Sequence, residues 1–545
     1  MAQQSLSFAS QIGQSLALAR RLGPFLSERM TAEQAVALSR TGLTRRAEQF
    51  QDVLHRALGS NSGNPYRRLL DHAGIGLADI NEHLRREGVE TTLEMLYDHG
   101  VYVTVDEFKG RTAIRRGSLV LEVGSHDFDN PLARHDFETR TGGSRSTGTR
   151  LFIDLDLLTR DAAYVHHQYA MAQLYGRPLF VWCSAPPFQS GMNEMLRCAK
   201  LGIAPRRWFA QSVPSLLGQS WRHAAFTGGV RWVSRLHGAR LPPPELTPLN
   251  AAGVIAESLA AAKRSGELPV LRANSSSAVR VCLAAQERGL DISGTALRVS
   301  AEPFTPGKAE VARRSGCRAM SWYATGEAGI IGLPCGAPAE VDEVHFMADK
   351  LALIRRERPV APGQSVLVNV YTSLVASTPK LMLNYVSDDY AEVSERPCGC
   401  ALEALGYHTH MHTIRSWEKL TSEGMTFIGH DLIRLIEEVL PARFGGTTAD
   451  YQFVETERDG LPKIDLRVSP RLGPLDQEAL LTEVLGFLDR TANAQTTWAD
   501  RWRQGRTLGV VREEPIPTSA SKVLALHVMR GKVERGASSA SAGSR

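Results

Sequence analysis

The segment from Asn384 to Phe427 reads NYVSDDYAEVSERPCGCALEALGYHTHMHTIRSWEKLTSEGMTF and carries three chemical signals in close succession. An Asp pair that ends at Asp389 follows an aromatic-led strand, and an Asp there can accept hydrogen bonds from both hydroxyls of a ribose. A Cys-x-Cys that begins at Cys398 offers two thiolates to one metal ion. Arg415 opens a charged, turn-rich segment with the character of a hinge. The segment therefore predicts a nucleotide pocket built by the residues before it and a mobile lid built by those after it.

The bulk composition is that of an ordinary soluble globular protein. The 545 residues exceed the roughly 250–300 at which a single core stops growing, so we expect more than one domain. The net charge of +5 is small against 63 basic and 58 acidic residues and predicts no nucleic-acid partner. The sequence contains no long uncharged apolar run, so we expect no membrane span. Seven unevenly spaced cysteines favour a reducing cytoplasm over a disulfide framework.

Residues 178–340 alternate short apolar runs with helical patterns, which predicts parallel strands joined by crossover helices and hence an α/β core. Ala301–Phe304 and Ser321–Glu327 both come at predicted strand ends, where ligands of α/β sheets bind. After Phe427, two strand-like segments and two helical ones predict a small α+β unit. The Gly/Ser/Ala-rich end of the chain predicts a disordered tail.

The segment TGGSRSTGTR, from Thr141 to Arg150, has three Gly and five Ser/Thr in ten residues. Small residues let backbone amides approach a polyphosphate, and hydroxyl groups add further donors. The alternative is a mobile surface loop. The segment lacks the Gly-Lys-Ser/Thr ending of a Walker loop.

Six motifs in the right order resemble those of the adenylate-forming enzymes, in the phenylacetate–CoA ligase-like branch that also contains acyl-protein synthetases. NPYRRLLDHAGI (Asn64–Ile75) is similar to an early helix of that branch, "PFYRRLLDEAGI". GSRSTGTR (Gly143–Arg150) lies where the family carries its phosphate loop "SSGTTGKP". AEPFTPGKAEV (Ala301–Val311) resembles the "AEPWT" segment beside the adenine.

The remaining three motifs lie in the second half of the chain. YATGE (Tyr323–Glu327) is similar to "YGxTE", whose Glu holds Mg²⁺. YVSDD (Tyr385–Asp389) resembles the family motif "YRTRD", and the resemblance implies that Asp389 binds the ribose. RSWEKLTSEGMTF begins at Arg415 and is similar to the hinge motif "RSDDMLIIRGVNVF". The resemblance covers most of the chain, from about residue 50 to about residue 530.

The resemblance implies an α/β fold with a large N-terminal domain of mixed sheets and crossover helices and a small mobile α+β C-terminal domain. The expected division is 1–414 for the large adenylate-forming domain, 415–530 for the lid domain and 531–545 for the tail. The implied protein is a cytoplasmic acid–thiol ligase that uses ATP, Mg²⁺ and a small-molecule carboxylic acid. The implied acyl acceptor is CoA or a carrier protein, and a homodimer is plausible.

The implied reaction is attack of a carboxylate on the α-phosphate of ATP, followed by transfer of the acyl group to a nucleophile such as the thiol of CoA. The predicted catalytic residues are Lys522, Glu327 and Arg415, with Glu327 as the Mg²⁺ ligand. Lys522 ends PTSASK, which loosely resembles the family's "PRTxxGK"; the alternative is a solvated surface lysine. The predicted nucleotide-binding residues are Gly143, Ser144, Arg145, Ser146, Thr147, Gly148, Ala301, Glu302, Pro303, Tyr323, Asp389 and Arg415.

A metal site is predicted at four residues that come from two parts of the chain. Three thiolates and one imidazole suit a closed tetrahedral zinc site, and some members of the resembled branch carry zinc at the matching positions. The alternative is that two cysteines are small buried hydrophobes and the histidine faces solvent. The alternating His408, His410 and His412 could form a second metal site, but we favour a polar strand edge. The predicted zinc ligands are Cys335, His345, Cys398 and Cys400.

Several positions depart from the family pattern. Arg145 replaces a Gly of the phosphate loop, where it could grip phosphate or block ATP. Gly326 replaces the Thr of "YGxTE", and Trp417 replaces the first hinge Asp. Two rival hypotheses therefore remain beside the ligase: a degenerate homologue that binds a nucleotide or acyl ligand without turnover, and an adenylating enzyme with an amine, carrier-protein or inorganic acceptor.

The acid is expected to be small or aromatic, because the predicted pocket is rich in histidine and aromatic residues. The alternative for His166, which we favour, is a core residue whose ring is satisfied by backbone groups. The predicted substrate-binding residues are His166, Phe188, Trp322 and Tyr323.

Overall fold

The computed structural model of the protein describes residues 18, 20–59, 61–140, 150–211, 221–361, 364–416, 419–422, 425–428, 434–491, 505, 507–516 and 526–528. Helices in this part of the chain are Ala32–Thr44, Arg46–Leu58, Pro65–Ala73, Leu77–Asp98, Val105–Phe108, Leu155–Met171, Gln189–Lys200, Trp221–Leu236, Ala252–Arg264, Ser275–Glu287, Pro306–Arg314, Ala401–Leu405, Leu440–Phe444 and Gln477–Thr491. Short 3₁₀ turns are Ser125–Phe128, Leu249–Ala251, Thr448–Asp450 and Pro470–Leu472, and Leu435–Val439 is a π-helical turn.

The strands are β1 Val103–Thr104, β2 Ile114–Arg116, β3 Leu119–Leu121, β4 Phe137–Arg140, β5 Arg150–Ile153, β6 Leu179–Trp182, β7 Arg207–Ala210, β8 Pro244–Leu246, β9 Val270–Asn274, β10 Ala296–Ser300, β11 Arg318–Ser321, β12 Tyr323–Thr325, β13 Gly329–Pro334, β14 Val344–Phe346, β15 Leu351–Ala361, β16 Gln364–Ser373, β17 Tyr385–Glu395, β18 Thr409–Ser416, β19 Lys419–Ser422, β20 Met425–Ile428, β21 Tyr451–Arg458, β22 Leu461–Val468, β23 Leu508–Val511 and β24 Leu526–Val528.

A six-stranded parallel sheet in the order β11-β10-β9-β6-β7-β8 confirms the predicted α/β core. Every residue of β6 and of β10 is buried, as expected for short apolar strands covered on both faces by helices. The helices Ala252–Arg264 and Ser275–Glu287 contribute small buried residues to one of these helical layers. The connection pattern is therefore the one that the alternation in residues 178–340 predicts.

A mixed eight-stranded sheet in the order β12-β13-β14-β18-β17-β16-β15, with β1 parallel to β17, forms the second layer. It carries Asp389 on β17 and Arg415 on β18. The apolar run KLMLNYV, from Lys380 to Val386, predicts a strand, but β17 begins only at Tyr385. The reason is Asn384, whose φ of +51° is left-handed and whose side-chain amide donates to the carbonyl oxygens of Leu93 at 2.8 Å and of Val101 at 3.1 Å.

A separate C-terminal unit confirms the predicted small α+β domain. Its four strands lie in the order β23-β22-β21-β24, with β21 and β22 as an antiparallel hairpin and both outer pairings parallel. The helix Gln477–Thr491 and the turn Leu435–Val439 close a core of their own around Tyr451 and Phe453. The expected boundary at Arg415 falls within β18, at the end of a strand of the large sheet. The division at that residue stays a prediction.

The tip of the β21–β22 hairpin packs against the helix Pro306–Arg314. Gly460 has a φ of +69°, and a Cβ atom there would lie 3.1 Å from Lys308 Cα and 3.2 Å from the Gly307 carbonyl oxygen. The Glu457 carboxylate accepts a hydrogen bond from the Thr305 hydroxyl, and Leu461 joins the core of the parallel sheet. No helix among the described residues is both long enough and apolar enough to cross a membrane.

Candidate functional site

A hydrogen bond joins two of the predicted nucleotide-binding segments. The Tyr323 hydroxyl on β12 donates to Asp389 Oδ2 on β17 at 2.7 Å, although the two residues are 66 positions apart. Burial, and then the charge of Asp389, raise the pKa of Tyr323 well above its ordinary value, so the phenol remains a donor. The bond orients the Asp389 carboxylate and leaves its other oxygen for further donors, such as ribose hydroxyls.

Glu327 lies close to the same group of residues. Its side chain is 9% exposed, at the turn between β12 and β13. Burial, and then the charges of Glu327, Asp388 and Asp389, raise the pKa of Tyr385 well above its ordinary value. The predicted magnesium ligand and the predicted ribose ligand therefore approach the same phenol.

The predicted adenine segment follows β10. It is fixed by contacts with residues that are not among the predicted site residues. Ala301 has a φ of +74°, a left-handed conformation that is unusual for a residue with a Cβ. Glu302 is buried, and its carboxylate accepts from the Ser276 hydroxyl and lies 3.6 Å from Lys308 Nζ. Lys308 also donates to the Pro303 carbonyl oxygen at 2.7 Å. Ser276 and Lys308 therefore fix the path of this loop.

Arg415 lies beside Asp389 at the end of the sheet, because β17 pairs with β18 in the register Asp389–Ser416 and Tyr390–Arg415. Its guanidinium forms an ion pair with Asp342, with 2.9 Å between Nη1 and Oδ2. Asp342 is another residue that the sequence did not single out, since it comes from the polar connection before β14.

Two parts of the predicted site lie outside the described residues. These are the phosphate-loop residues Gly143, Ser144, Arg145, Ser146, Thr147 and Gly148, and the proposed catalytic Lys522. Arg150, at the end of the loop motif, starts β5, where its Nη2 atom lies 3.4 Å from Asp129 Oδ2 and its guanidinium lies 4.7 Å from the centre of the Phe152 ring.

The predicted substrate-binding residues are placed in different surroundings. Trp322 is 3% exposed and lies among arginine side chains. Phe188 is half-buried and is the N-cap residue of the helix Gln189–Lys200. His166 Nδ1 lies 2.5 Å from the Tyr175 hydroxyl, so a side chain and not the backbone satisfies its ring. Tyr175 in turn packs on Tyr169, whose ring lies 4.9 Å from the guanidinium of Arg298, one of the arginines beside Trp322.

The four predicted zinc ligands do come together. The Sγ atoms of Cys335, Cys398 and Cys400 and one ring nitrogen of His345 all lie within 4.8 Å of one another. His345 Nε2 is 3.6 Å from Cys398 Sγ and 3.2 Å from Cys400 Sγ. A tetrahedral site with metal–ligand bonds of about 2.0–2.3 Å has edges of roughly 3.3–3.8 Å, so the separation of 3.6 Å matches such a site and that of 3.2 Å is slightly shorter.

The tautomer of His345 also suits a metal ligand. Its Nδ1 lies 2.8 Å from the Tyr407 carbonyl oxygen, which can only accept, so Nδ1 carries the proton and Nε2 faces the thiols with its lone pair. Burial acts to raise the pKa of Cys400, and hydrogen bonds from the backbone amides of Glu403 and Gly336 act to lower it. His345 presents a neutral imidazole to this thiol, which is the form that binds a metal.

The expectation that His410 lies on a polar strand edge is wrong. The side chain is fully buried, and its Nδ1 lies 2.5 Å from the buried carboxylate of Glu343, which also binds Arg396. Its ring centre is 4.1 Å from that of His345. The strand β18 pairs on both sides, with β14 and β17, so it is not an edge strand, and the side chain of His410 is covered by His345 and Glu343. His408 precedes β18 and is exposed.

No protein-family model matches the sequence, and no curated protein matches it. Among solved structures, 2-hydroxyisobutyryl-CoA ligase in complex with 2-HIB-AMP and CoA, in the thioesterification state, matches with a TM-score of 0.53 at 15% identity, over 92% of this chain and 91% of that chain. The same ligase in the postadenylation state has a TM-score of 0.44 at 15% identity, over 93% of this chain and 92% of that chain. The o-succinylbenzoate CoA synthetase of Bacillus subtilis has a TM-score of 0.38 at 10% identity, over 79% of this chain and 75% of that chain. The first match establishes a shared fold over most of both chains.

Proposed function

We propose, from the fold that the chain shares with the adenylate-forming enzymes, that the protein activates a carboxylic acid as an acyl-adenylate and passes the acyl group to a thiol such as CoA. The observation that carries the proposal is the hydrogen bond between Tyr323 and Asp389. It joins two motifs, each of which resembles a nucleotide-binding segment, at the edge where Arg415 also lies.

In the first step, a carboxylate oxygen of the acid attacks the α-phosphorus of ATP, the bond to the β-phosphate oxygen breaks, and pyrophosphate leaves. Asp389 accepts hydrogen bonds from the ribose hydroxyls, and the loop Ala301–Pro303 borders the adenine. Glu327 is the proposed ligand of Mg²⁺, which takes one or two protein carboxylates and keeps several waters, and which neutralises phosphate charge when bound. Arg415 adds positive charge at the same edge.

In the second step, the thiolate attacks the acyl carbon, the bond from that carbon to the phosphate oxygen breaks, and AMP leaves. The C-terminal unit docks on the helix Pro306–Arg314 through Gly460 and Leu461, so it lies next to the adenine loop. A lid in that position excludes water from the adenylate, which would otherwise hydrolyse. We also propose Lys522 as a group that neutralises charge at the α-phosphate during adenylation.

We propose a structural zinc ion at Cys335, His345, Cys398 and Cys400. Four protein donors are the number that a closed structural zinc site uses, and with all four bound no position would remain for a reactant. Such an ion would tie the turn after β13 to the segment that precedes the helix Ala401–Leu405.

The test of the adenylation proposal is pyrophosphate release from ATP and Mg²⁺ with a panel of small and aromatic carboxylic acids. We expect release with at least one acid, and its loss in Asp389→Ala and Glu327→Gln, which should stay folded. Asp52→Asn, an exposed helical position, is the matched control. Unchanged release in both site variants would contradict the assignment. ATP binding without release for any acid would favour the degenerate homologue.

A further inference from the structure

Three buried arginines surround the indole of Trp322. Arg197, Arg272 and Arg298 are 7%, 4% and 0% exposed, and they come from the helix Gln189–Lys200, from β9 and from β10. Their guanidinium carbons lie 5.5, 4.6 and 4.8 Å from the indole ring centre. We call these three residues the arginine cluster. Arginine is among the residues least often found fully buried, so three around one ring require an electrostatic explanation.

One carboxylate is shared by all three guanidiniums. Glu194, which is fully buried, lies 2.6 Å from Arg298, 3.5 Å from Arg197 and 4.0 Å from Arg272. Burial opposes its ionisation, but the three arginines outweigh burial and lower the pKa of Glu194 to about 2. Because arginine does not lose its proton in proteins, the shared carboxylate leaves an excess of positive charge.

The neighbouring buried groups do not remove this excess. Asp161 lies 3.3 Å from Arg197 but also 3.2 Å from Lys350, which is fully buried. The next carboxylate, Asp349, is bound by Arg160 at 2.7 Å. Two positive charges therefore remain without a buried counterion among the described residues.

Donor atoms in the cluster also lack acceptors. Arg272 Nε and Arg298 Nη2 are buried and have no hydrogen-bond partner within the described part of the chain, and the same holds for Trp322 Nε1 and Gln168 Nε2. One acceptor of the cluster, Glu194 Oε2, is also buried without a hydrogen-bond partner and lies 4.0 Å from Arg272 Nε. Buried polar groups in folded proteins are almost always hydrogen-bonded, and buried charges are paired. Unmet N–H donors together with surplus positive charge indicate an anionic ligand that is rich in acceptors.

The register of the parallel sheet strengthens this inference. Arg272 and Arg298 are direct neighbours on β9 and β10, and like charges side by side on adjacent strands repel each other. Burial, together with Arg298 and Arg197, lowers the pKa of Arg272 even though Cys183 and Glu194 oppose the shift. An anion between the two guanidiniums would remove the repulsion.

The cluster adjoins the proposed adenylate site at two points. Trp322 is followed directly by Tyr323, which binds Asp389. Arg272 Nη2 donates to the Ser300 hydroxyl at 2.7 Å, and Ser300 is followed directly by the adenine loop. The cluster is therefore joined through Trp322 and Ser300 to the two segments proposed to bind the nucleotide.

We propose that the arginine cluster binds a second carboxylate of the acid substrate, so that the enzyme activates a dicarboxylic acid. The inference rests on the proposed function and names its substrate class. One carboxylate attacks the α-phosphorus as described above, and the other keeps its charge and accepts hydrogen bonds from Arg272 and Arg298. Arginine suits this role because its planar fork matches the two oxygens of a carboxylate.

The first test compares pyrophosphate release with matched pairs of acids: succinate with butyrate, glutarate with pentanoate, and 2-carboxyphenylacetate with phenylacetate. A site that contains buried donors for a group rejects the analogue without it, so we expect kcat/KM to be roughly 100-fold higher for the dicarboxylate of the preferred pair. Equal or better turnover of the monocarboxylates would overturn the proposal and leave adenylation itself intact.

The second test uses Arg272→Met, which keeps an unbranched side chain and removes the charge. We expect its loss of kcat/KM for the dicarboxylate to exceed its loss for the monocarboxylate by roughly 30-fold, with partial recovery in Arg272→Lys. Arg206→Met is the matched control, since Arg206 is an exposed arginine paired with Glu267. Equal losses for both acids would show that Arg272 has a structural role only.

If no acid in the panel supports release, the adenylation proposal fails, and the cluster is tested by binding alone. Calorimetric titration of the wild-type protein with glutarate and with pentanoate gives two outcomes. Tighter binding of glutarate that is lost in Arg272→Met would support an anion site in a non-catalytic protein. Equal or absent binding of the two acids would overturn the inference.

Discussion

Arg415 Nη1 lies 2.9 Å from Asp342 Oδ2, an ion pair between residues 73 positions apart. The same carboxylate accepts hydrogen bonds from the backbone amides of Thr413 at 3.0 Å and Ile414 at 3.3 Å. Asp342 thus holds both the strand end and the guanidinium that it carries. The arginine that opens the hinge-like segment is oriented by a residue from another strand connection.

Asp342→Asn should weaken adenylation while the protein stays folded. The amide keeps the size of the side chain but loses the charge that orients Arg415. Hydrogen bonds to charged groups contribute about 1.5–3 kcal/mol, so we expect pyrophosphate release to fall by roughly 10-fold or more. Asp52→Asn serves as the control. A Tm close to wild type together with wild-type release would show that Arg415 does not depend on this pair.

Tyr323→Phe should lower the affinity for ATP. The ring and its packing remain, but Asp389 loses the donor that orients it. A hydrogen bond contributes about 0.5–1.5 kcal/mol, which predicts a Kd for ATP about 2- to 12-fold higher by calorimetry. Tyr97→Phe, in a ring pair with Tyr102 away from the site, should leave the Kd unchanged. An unaltered Kd in Tyr323→Phe would mean that Asp389 needs no such support.

Protein purified without chelators should contain roughly one zinc ion per chain, measured by elemental analysis. Cys398→Ser should lose most of that zinc and lower the Tm, because metal binding contributes directly to folding. Cys317→Ser, a half-buried cysteine whose thiol donates to the Ile292 carbonyl oxygen at 3.5 Å, is the control. Wild-type protein without zinc would refute the assignment.

Docking of the C-terminal unit should depend on pH through Glu455 of β21. Burial raises the pKa of Glu455 from 4.5 to about 7, with Glu302 and Glu457 adding to the shift and Lys308 and Arg415 opposing it. The docked state therefore binds the proton more tightly than a state in which Glu455 is solvated. Below about pH 4.5, Glu455 is protonated in both the docked and the solvated state, so docking is strongest. As the pH rises, the solvated carboxyl loses its proton first, which favours the undocked state, and docking is weakest above about pH 7.

Hydrogen exchange of the β21–β22 hairpin measures this dependence. We expect faster exchange at pH 8 than at pH 5, after correction for the intrinsic rate. Glu455→Gln, which stays neutral, should flatten the pH profile. Asp459→Asn, at the exposed tip of the same hairpin, is the control and should keep it. A wild-type profile without pH dependence would argue that Glu455 is solvated in solution.

The local pattern of the chain was sufficient for the fold class. Short apolar runs that alternate with helical ones require strands covered by helices on both faces, and β6 and β10 have that character. The sequence also predicted that Cys335, His345, Cys398 and Cys400 lie together, because thiols and an imidazole suit one metal ion and the resembled branch carries zinc at matching positions. The order of motifs along the chain predicted which strand ends carry Asp389 and Arg415.

The pattern failed where burial depends on neighbours in the sheet. Alternation places His408, His410 and His412 on one face of an extended strand, but it does not say whether that face is covered. His410 is buried because His345 and Glu343 pack against it, and β18 is a central strand and not an edge. Asp342 was missed for a related reason, since a polar connection carries no local sign of the strand end that it will support.

The arginine cluster is the clearest property of the tertiary structure. In the sequence, Arg197, Arg272 and Arg298 are separated basic residues, each consistent with a solvated surface. The parallel register of β9 and β10 and the packing of the helix Gln189–Lys200 bring them around Trp322 with one shared carboxylate. The sequence alone therefore determined which elements form and which chemical groups they carry. The pairing of distant strands decided which charges share a buried volume, because charge balance is a property of the space around a group and not of its neighbours along the chain.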